Sequence, residues 1–509
     1  MSSIWNPALP FVICFTTALI CIVWTLVLPR PVFAQRLTTI VGNFLLALTA
    51  AKLLALADQG DVLILEASAW PAPWGIVLMI DRLSAVMVLI TGVIGLAGSI
   101  YLAAFPPSAA EQRGQAIFWN FLLLGVCGAF VTGDMFNLYV WFETLLIASF
   151  VLMVLSKERD ALVGGFKYVI LSLAASTMFL LGCGLLYNAT GTLNMADLHR
   201  VIAGGSASPL LPVAAALICI GFMSKAAMFP LWFWLPESYH TPSPVISGVF
   251  AGLLTKVGVY ALIRMFTQVF AGPAFAPLLD MILVTSLLTM ALGVVGAAVQ
   301  KEMRRILSFH IISQVGYMTL GLALGTGAAL AGAIFYTVHH IIVKTTLFFV
   351  GGLVEARAGT GKLIKLGGMA ASAKMIALLF AIPALSLAGI PPFSGFWAKF
   401  MIARASVDAS AWISLATALA VSLATIFSMS KIWNEVFWKN APSSEKETEK
   451  PQSFSIALAS AGCLVLIALT LWISVAGAPL VNFAQRTANQ LRDTASVEQL
   501  ILSQRGRAP

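Results

Sequence analysis

Four lysines stand where a membrane segment would ordinarily carry none: Lys225, Lys256, Lys344 and Lys399 lie within or at the edge of long apolar runs. An ammonium near the bilayer centre costs about 3 kcal/mol on insertion scales, so such a residue normally faces a protein interior or a water-filled path. Glu143 is the matching anomaly, the only charge in MFNLYVWFETLLIASFVLMVL. A carboxylate at that depth either stays protonated or finds a cation, and Lys225 has no partner in its own segment. Within about 4–6 Å of each other, the carboxylate would be driven to ionise while burial lowers the lysine's hold on its proton. Separating them would let the lysine lose it. The same two residues could equally form a static tie between helices.

The neighbours of these residues point the same way. Pro230 removes a backbone donor and clashes with the preceding turn, so the helix carrying Lys225 should break just after it. The run FAIPALSLAGIPPFSGFWAKF repeats the theme with Pro383, Gly389, Pro391, Pro392 and Gly395 before Lys399. A broken helix beside a buried charge is a recurring way to build a transport site. In FYTVHHIIVKTTLFF, His340 and Lys344 share a helix face at i, i+4 spacing, with His339 about 100° away. No further ligands for a metal are evident, so the pair suits proton relay, with plain packing as the alternative. His310, Ser313 and Gln314 form a polar stripe that could line a hydrated path or glue helices together. His240, in LPESYHTPSP, could relay a proton or cap a turn. Asp81 and Arg82 open a span side by side, where both can reach the interface or a loop partner.

The chain that must position these groups is a membrane bundle. Its 509 residues are 60% hydrophobic and 10% charged, with mean hydropathy +0.93. A spanning helix needs about 20 apolar residues, and the runs predict about fourteen spans: 7–29, 36–57, 75–104, 113–132, 134–155, 164–189, 209–229, 242–268, 276–299, 304–326, 328–352, 374–402, 409–438 and 453–476. The first lacks a signal-peptide cleavage pattern and is expected to be retained. The six cysteines lie in apolar runs without metal-ligand or disulfide spacing and read as small buried hydrophobes. The net charge of +9 fits the positive-inside rule better than nucleic-acid binding. With both termini outside, 17 basic residues fall in loops on one side and 7, including Arg264, on the other.

The fold expected is therefore an all-α polytopic membrane protein. Residues 1–110 would hold helices 1–3, 111–270 a first five-helix repeat, 271–440 a second, and 441–509 a charged cytoplasmic loop, helix 14 and a polar tail with a weak helical pattern. Helices 7 and 12 would be the broken ones, five helices apart, as in inverted-repeat transporters.

Taken in order, VWFE around Glu143, HTPSPV, LLTKVGVYALIR around Lys256, RRILSFHIISQVGYM, VHHIIVKTTLFF and AGIPPFSGFWAKF resemble the antiporter-like subunits shared by Mrp cation/proton antiporters and the membrane arm of respiratory complex I. The likeness covers roughly residues 70–440, and FNLYVWFE and LSFHIISQVGYM are most similar to the D-type subunits of Mrp complexes. It implies fourteen helices, inverted repeats and a lateral chain of buried titratable groups. Glu143 and Lys225 would be the coupling pair, Lys256 and the His340/Lys344 face the central relay, and Lys399 the exit lysine, with His240, His310 and His339 as auxiliaries.

No nucleotide loop, haem ligand set or iron–sulfur spacing is present, so no cofactor or metal is expected, and energy must come from an ion gradient or a partner subunit. The function expected is inward proton movement in exchange for sodium or another monovalent cation, within a multisubunit complex of the bacterial cell membrane, by a transporter subunit rather than an enzyme. The alternatives are a proton-pumping subunit of an NADH:quinone oxidoreductase or hydrogenase-type complex, and a scaffold bundle whose buried charges only hold partners together.

Overall fold

The computed structural model describes residues 5–67, 70, 74–205, 208–441 and 455–495. A helix occupies each of the fourteen apolar runs, two half-helices share the run 374–402, and one further helix follows the last run. In chain order these are α1 (Leu9–Val27), α2 (Val32–Asp58), α3 (Arg82–Ala103), α4 (Gln115–Val131), α5 (Met135–Val154), α6 (Arg159–Thr190), α7 (Leu210–Lys225) and α8 (Pro244–Val269). There follow α9 (Ala276–Val299), α10 (Met303–Ala323), α11 (Gly327–Ala358), the half-helices α12 (Lys374–Ala388) and α13 (Ser394–Asp408), α14 (Trp412–Trp438), α15 (Ile456–Val475) and α16 (Gly477–Arg492). Among the described residues, eleven helices are long and apolar enough to cross a membrane, and α4, α7 and α12 are shorter apolar helices.

The bundle is graded from rim to centre. The most apolar stretch of α1 is 28% buried and that of α2 33%, whereas α8, α10 and α11 reach 100%, 94% and 100%. Helices apolar all round belong in a core, and these three central ones carry Lys256, His310, His339, His340 and Lys344.

One departure from an all-helical chain is a hairpin. Strands β1 (Leu63–Glu66) and β2 (Val77–Ile80) pair antiparallel, Leu63 opposite Ile80. Residues 77–80, expected to begin the third span, are therefore strand, and the helix starts only at Arg82, where the Asp81 carboxylate accepts from the Ser84 N–H at 2.8 Å. An acidic N-cap satisfies a donor that the first turn leaves free.

Both broken helices end in the same local geometry. At the end of α7 the Met228 N–H reaches the Met223 carbonyl, with Ala227 left-handed at φ 58°; at the end of α12 the Ile390 N–H reaches the Leu385 carbonyl, with Gly389 at φ 83°. This is the Schellman termination. The Phe229–Pro230 and Pro391–Pro392 peptides are both cis. Gly389 suits the left-handed position without strain, and a Cβ there would also lie 2.7 Å from Lys399 Cδ. Helix α8 crosses hard against the first break, a Cβ on Gly258 falling 2.6 Å from Ala226 N. It is itself irregular, with a π turn at Phe250–Leu254 before Lys256 and another at Met265–Val269 after Arg264.

Where a weak helical pattern was expected after the last span, α16 is a defined amphipathic helix packed on α11 and α3. Arg486 pairs with Asp58 at 2.8 Å and Gln490 accepts from the Arg82 N–H at 3.2 Å. Residues 442–450 of the charged loop and 496–509 of the tail lie outside the described residues.

Candidate functional site

The candidate residues fall into three groups. In the first, Lys225 is the last residue of α7, and its ammonium donates to the Ser172 carbonyl on α6 at 3.1 Å and lies 5.9 Å from the Phe142 ring centroid. Among the described residues Lys225 and Glu143 form no ion pair. Glu143 Oε1 is buried with no hydrogen-bond partner. The two residues expected from sequence to meet are therefore not joined as an ion-pair contact. Glu143 lies on a face of α5 where Val140 and Ile147 are exposed, so it sits at the edge of the bundle rather than in its core.

The second group occupies the centre. Lys256, His310, His340 and Lys344 are completely buried. None of the four makes an ion pair among the described residues. Lys256 Nζ donates to the Ala251 carbonyl at 2.5 Å, back into the π turn, and Lys344 Nζ donates to Leu307 O on α10 at 2.9 Å. The charge of Lys256 reaches both His340 and Lys344. Among the described residues, neither ring nitrogen of His340 has a hydrogen-bond partner. A buried polar group without a partner costs about 1–3 kcal/mol, so this cluster stays unsettled unless a proton or water meets it.

The third group surrounds the second break. Lys399 Nζ donates to the Ala388 carbonyl at 2.9 Å and to Ser422 Oγ on α14 at 3.0 Å, and stands 5.6 Å from the Tyr317 ring centroid. Ala388 is the last residue of α12, whose final carbonyls have no helical partner, and a cation is favoured at that negative end. His339, turned away from the His340 face as its spacing implies, hydrogen-bonds Ser394 Oγ through Nδ1 at 2.9 Å, and Ser394 contacts Ser386 Oγ at 2.9 Å. His310 bonds Ser428 through Nε2, and the charges of both Lys344 and Lys399 reach it. His310 stands about one turn along α10 from Leu307, which accepts from Lys344, and bonds α14, the helix whose Ser422 meets Lys399, so it lies between the central and third groups.

His240 is apart from all three, in the connection between α7 and α8. Burial, then Arg305 and Arg304, push its imidazole down to about 4, against a hydrogen bond to the Pro236 carbonyl. It is neutral at neutral pH. Beside it Glu237 pairs with Lys167 at 2.9 Å and Arg305 at 2.5 Å, and Arg304 pairs with Glu355 at 2.7 Å.

Sequence reasoning missed one buried cluster entirely. Arg264, counted with the loops, is fully enclosed and forks onto Asp81, also donating to Ser84 Oγ at 2.9 Å and Tyr260 Oη at 2.7 Å. The signal was available, because Tyr260 and Arg264 follow Lys256 at successive i+4 steps and Asp81 precedes Ser84 in an N-cap pattern. The serines 386, 394, 422 and 428 were also missed, since a hydroxyl in an apolar helix carries no sign of which imidazole or ammonium it meets.

Comparison with known proteins gives a consistent result. The family described as "NADH:quinone oxidoreductase/Mrp antiporter, TM" matches residues 132–428. The chain is 42% identical over 436 residues, 86% of its length and 87% of the relative's, to a D-type Na(+)/H(+) antiporter subunit of Alkalihalophilus pseudofirmus. It is 33% identical to an N-type NADH-quinone oxidoreductase subunit of Desulforudis audaxviator, covering 85% and 88% of the two chains. Among solved structures it superposes on a chain of the Mrp complex from Dietzia sp. DQ12-45-1b with a TM-score of 0.89 at 30% identity, covering 97% and 99%.

Proposed function

Since the chain belongs to the NADH:quinone oxidoreductase/Mrp antiporter membrane-subunit family, we propose that it is the proton-translocating, D-type subunit of a multisubunit antiporter exchanging protons for sodium or another monovalent cation. Its partners are the other subunits of that complex and its site of action is the bacterial cell membrane. The observation that carries this reading is the pair of fully enclosed lysines Lys256 and Lys344, held on backbone carbonyls with no carboxylate beside them. A lysine kept only for stability would have been paired, because the cost of desolvating an ammonium is not met by one carbonyl.

In this reading Glu143 and Lys225 form the coupling pair. Closing it would hold the proton on Lys225, and opening would release that proton toward the centre. Lys256, His340 and Lys344 would be the relay, His310 and His339 the links outward, and Lys399 the exit. The two breaks place helix ends beside Lys225 and Lys399, consistent with five-helix repeats built around α7 and α12–α13. One charge crossing 100 mV is worth about 2.3 kcal/mol, comparable to the cost of rearranging one buried pair.

The test is sodium-dependent collapse of a pH gradient in inverted vesicles carrying the whole complex, wild type against Lys225→Ala, with assembly verified in both. Loss of exchange in an assembled Lys225→Ala complex supports the coupling role. Unchanged exchange removes it and leaves a scaffold. The similarity to an NADH-quinone oxidoreductase subunit favours a second reading, a redox-driven pump, which absence of exchange in the wild type would select.

A further inference from the structure

His310 has one satisfied ring nitrogen and one bare. Nε2 meets Ser428 Oγ, while Nδ1 is buried without a partner. The serine hydroxyl has a single hydrogen, and the Thr425 carbonyl one turn back, 3.3 Å from Oγ, is an acceptor that hydrogen can turn to; with the hydrogen turned there, the roles at Nε2 are settled. Ser428 Oγ must then accept, and the imidazole must donate. A neutral imidazole carries one N–H, and the hydrogen bond at one nitrogen decides which nitrogen that is.

We propose that Ser428 is the positioning residue for His310: by accepting from Nε2–H it fixes the neutral ring in that tautomer and leaves the Nδ1 lone pair as the ring's free proton acceptor. The groups whose charge or titration bears on the ring are Lys344 on α11, Lys399 on α13 and His340 on α11. The step so prepared transfers one proton from a lysine ammonium to a neutral imidazole. Because Nδ1 has no direct hydrogen-bond partner, the step runs through one water: an N–H bond of Lys344 breaks as the water takes that proton and gives another to Nδ1, where an N–H bond forms, and the positive charge moves to the imidazole. The same helix, α14, then presents Ser422 to Lys399 at 3.0 Å. One helix thus orients a group on each side of the gap between centre and exit, Ser428 through a tautomer and Ser422 through an ammonium.

This inference rests on the proton-translocating reading for its purpose, but its core is a tautomer that can be observed without transport. The chain has five histidines, few enough to resolve. Protein labelled with nitrogen-15 histidine, in its assembled complex in bilayers, is compared by solid-state NMR as wild type, Ser428→Ala and Ser428→Thr, with His310→Gln identifying the His310 signals. We expect a protonated Nε2 and a bare Nδ1 in the wild type. In Ser428→Ala we expect loss of that single tautomer and a fall in exchange of at least about tenfold, short of the roughly hundredfold or more lost with an acid–base group itself. Ser428→Thr, which keeps the hydroxyl, should restore both. A wild-type ring protonated on Nδ1, or an Nε2–H tautomer unchanged in Ser428→Ala, overturns the proposal. A tautomer that shifts as expected in a complex showing no exchange even as wild type supports the positioning role and overturns the antiporter reading instead.

Discussion

The buried charges are held in two different ways. Arg264 and Asp81 answer each other and are supported by Ser84, Tyr260 and Gln268, whereas Lys256, Lys344 and Lys399 rest on carbonyls and hydroxyls. The first arrangement suits permanence and the second suits a charge that comes and goes. Removing one member of an enclosed pair strands the other, at about 3–5 kcal/mol. Asp81→Asn or Arg264→Gln should therefore lower thermal stability sharply in a melting experiment on the purified complex, while Lys344→Ala should cost much less stability. A pH effect belongs to His240. Its folded-state proton affinity lies below that of the unfolded imidazole, near 6.5, so the unfolded chain takes up the proton first. The stability is complete above about pH 6.5 and is lost as pH falls toward about 4. His240→Asn should flatten that stretch of the stability profile, and a profile unchanged by the substitution would contradict the assignment. Of the candidate residues, the lysines were legible because a charge in an apolar run is conspicuous. Arg264 was passed over despite its i+4 spacing from Tyr260, since it stands near the end of its span, where a long side chain reaching water is the ordinary expectation.

At the scale of elements, the segments SKAAMFP and SLAGIPP end their helices alike, with Ala227 and Gly389 in equivalent left-handed positions. Such a conformation costs a non-glycine residue about 1–2 kcal/mol. Ala227→Gly should raise the melting temperature slightly through relief of that strain. Gly389→Ala should lower it and disturb exchange too, because the added methyl meets the Lys399 side chain. Equal stability of Gly389→Ala and wild type would show that the break tolerates a side chain. The prolines made both breaks legible in advance, since a missing donor and a fixed φ are local facts. The β1–β2 hairpin was not, because VLMI has the composition of a span and only pairing with LILE makes it a strand. The π turns of α8 were likewise invisible, since they answer to packing, the first against α11 and the second against α16, rather than to local propensity.

Across the whole molecule, titratable groups follow the gradient of burial. Glu143 is at the rim, Lys225 one helix inside, Lys256, His340 and Lys344 at the centre, and Lys399 at the second break. Apolar periodicity cannot foretell this order, which depends on which helices the bundle encloses. The contact between Lys399 and the first half-helix reaches beyond its neighbourhood. The ammonium rests on the final carbonyl of α12, so the strength with which that lysine keeps its proton and the firmness with which the half-helix keeps its end are a single quantity read from two sides. Coupling of this kind is reciprocal by thermodynamic necessity. A small molecule wedged into the gap between the two half-helices would be felt as a change in acidity, and a change in acidity on either side of the membrane would tighten or loosen the grip on that molecule by the same factor.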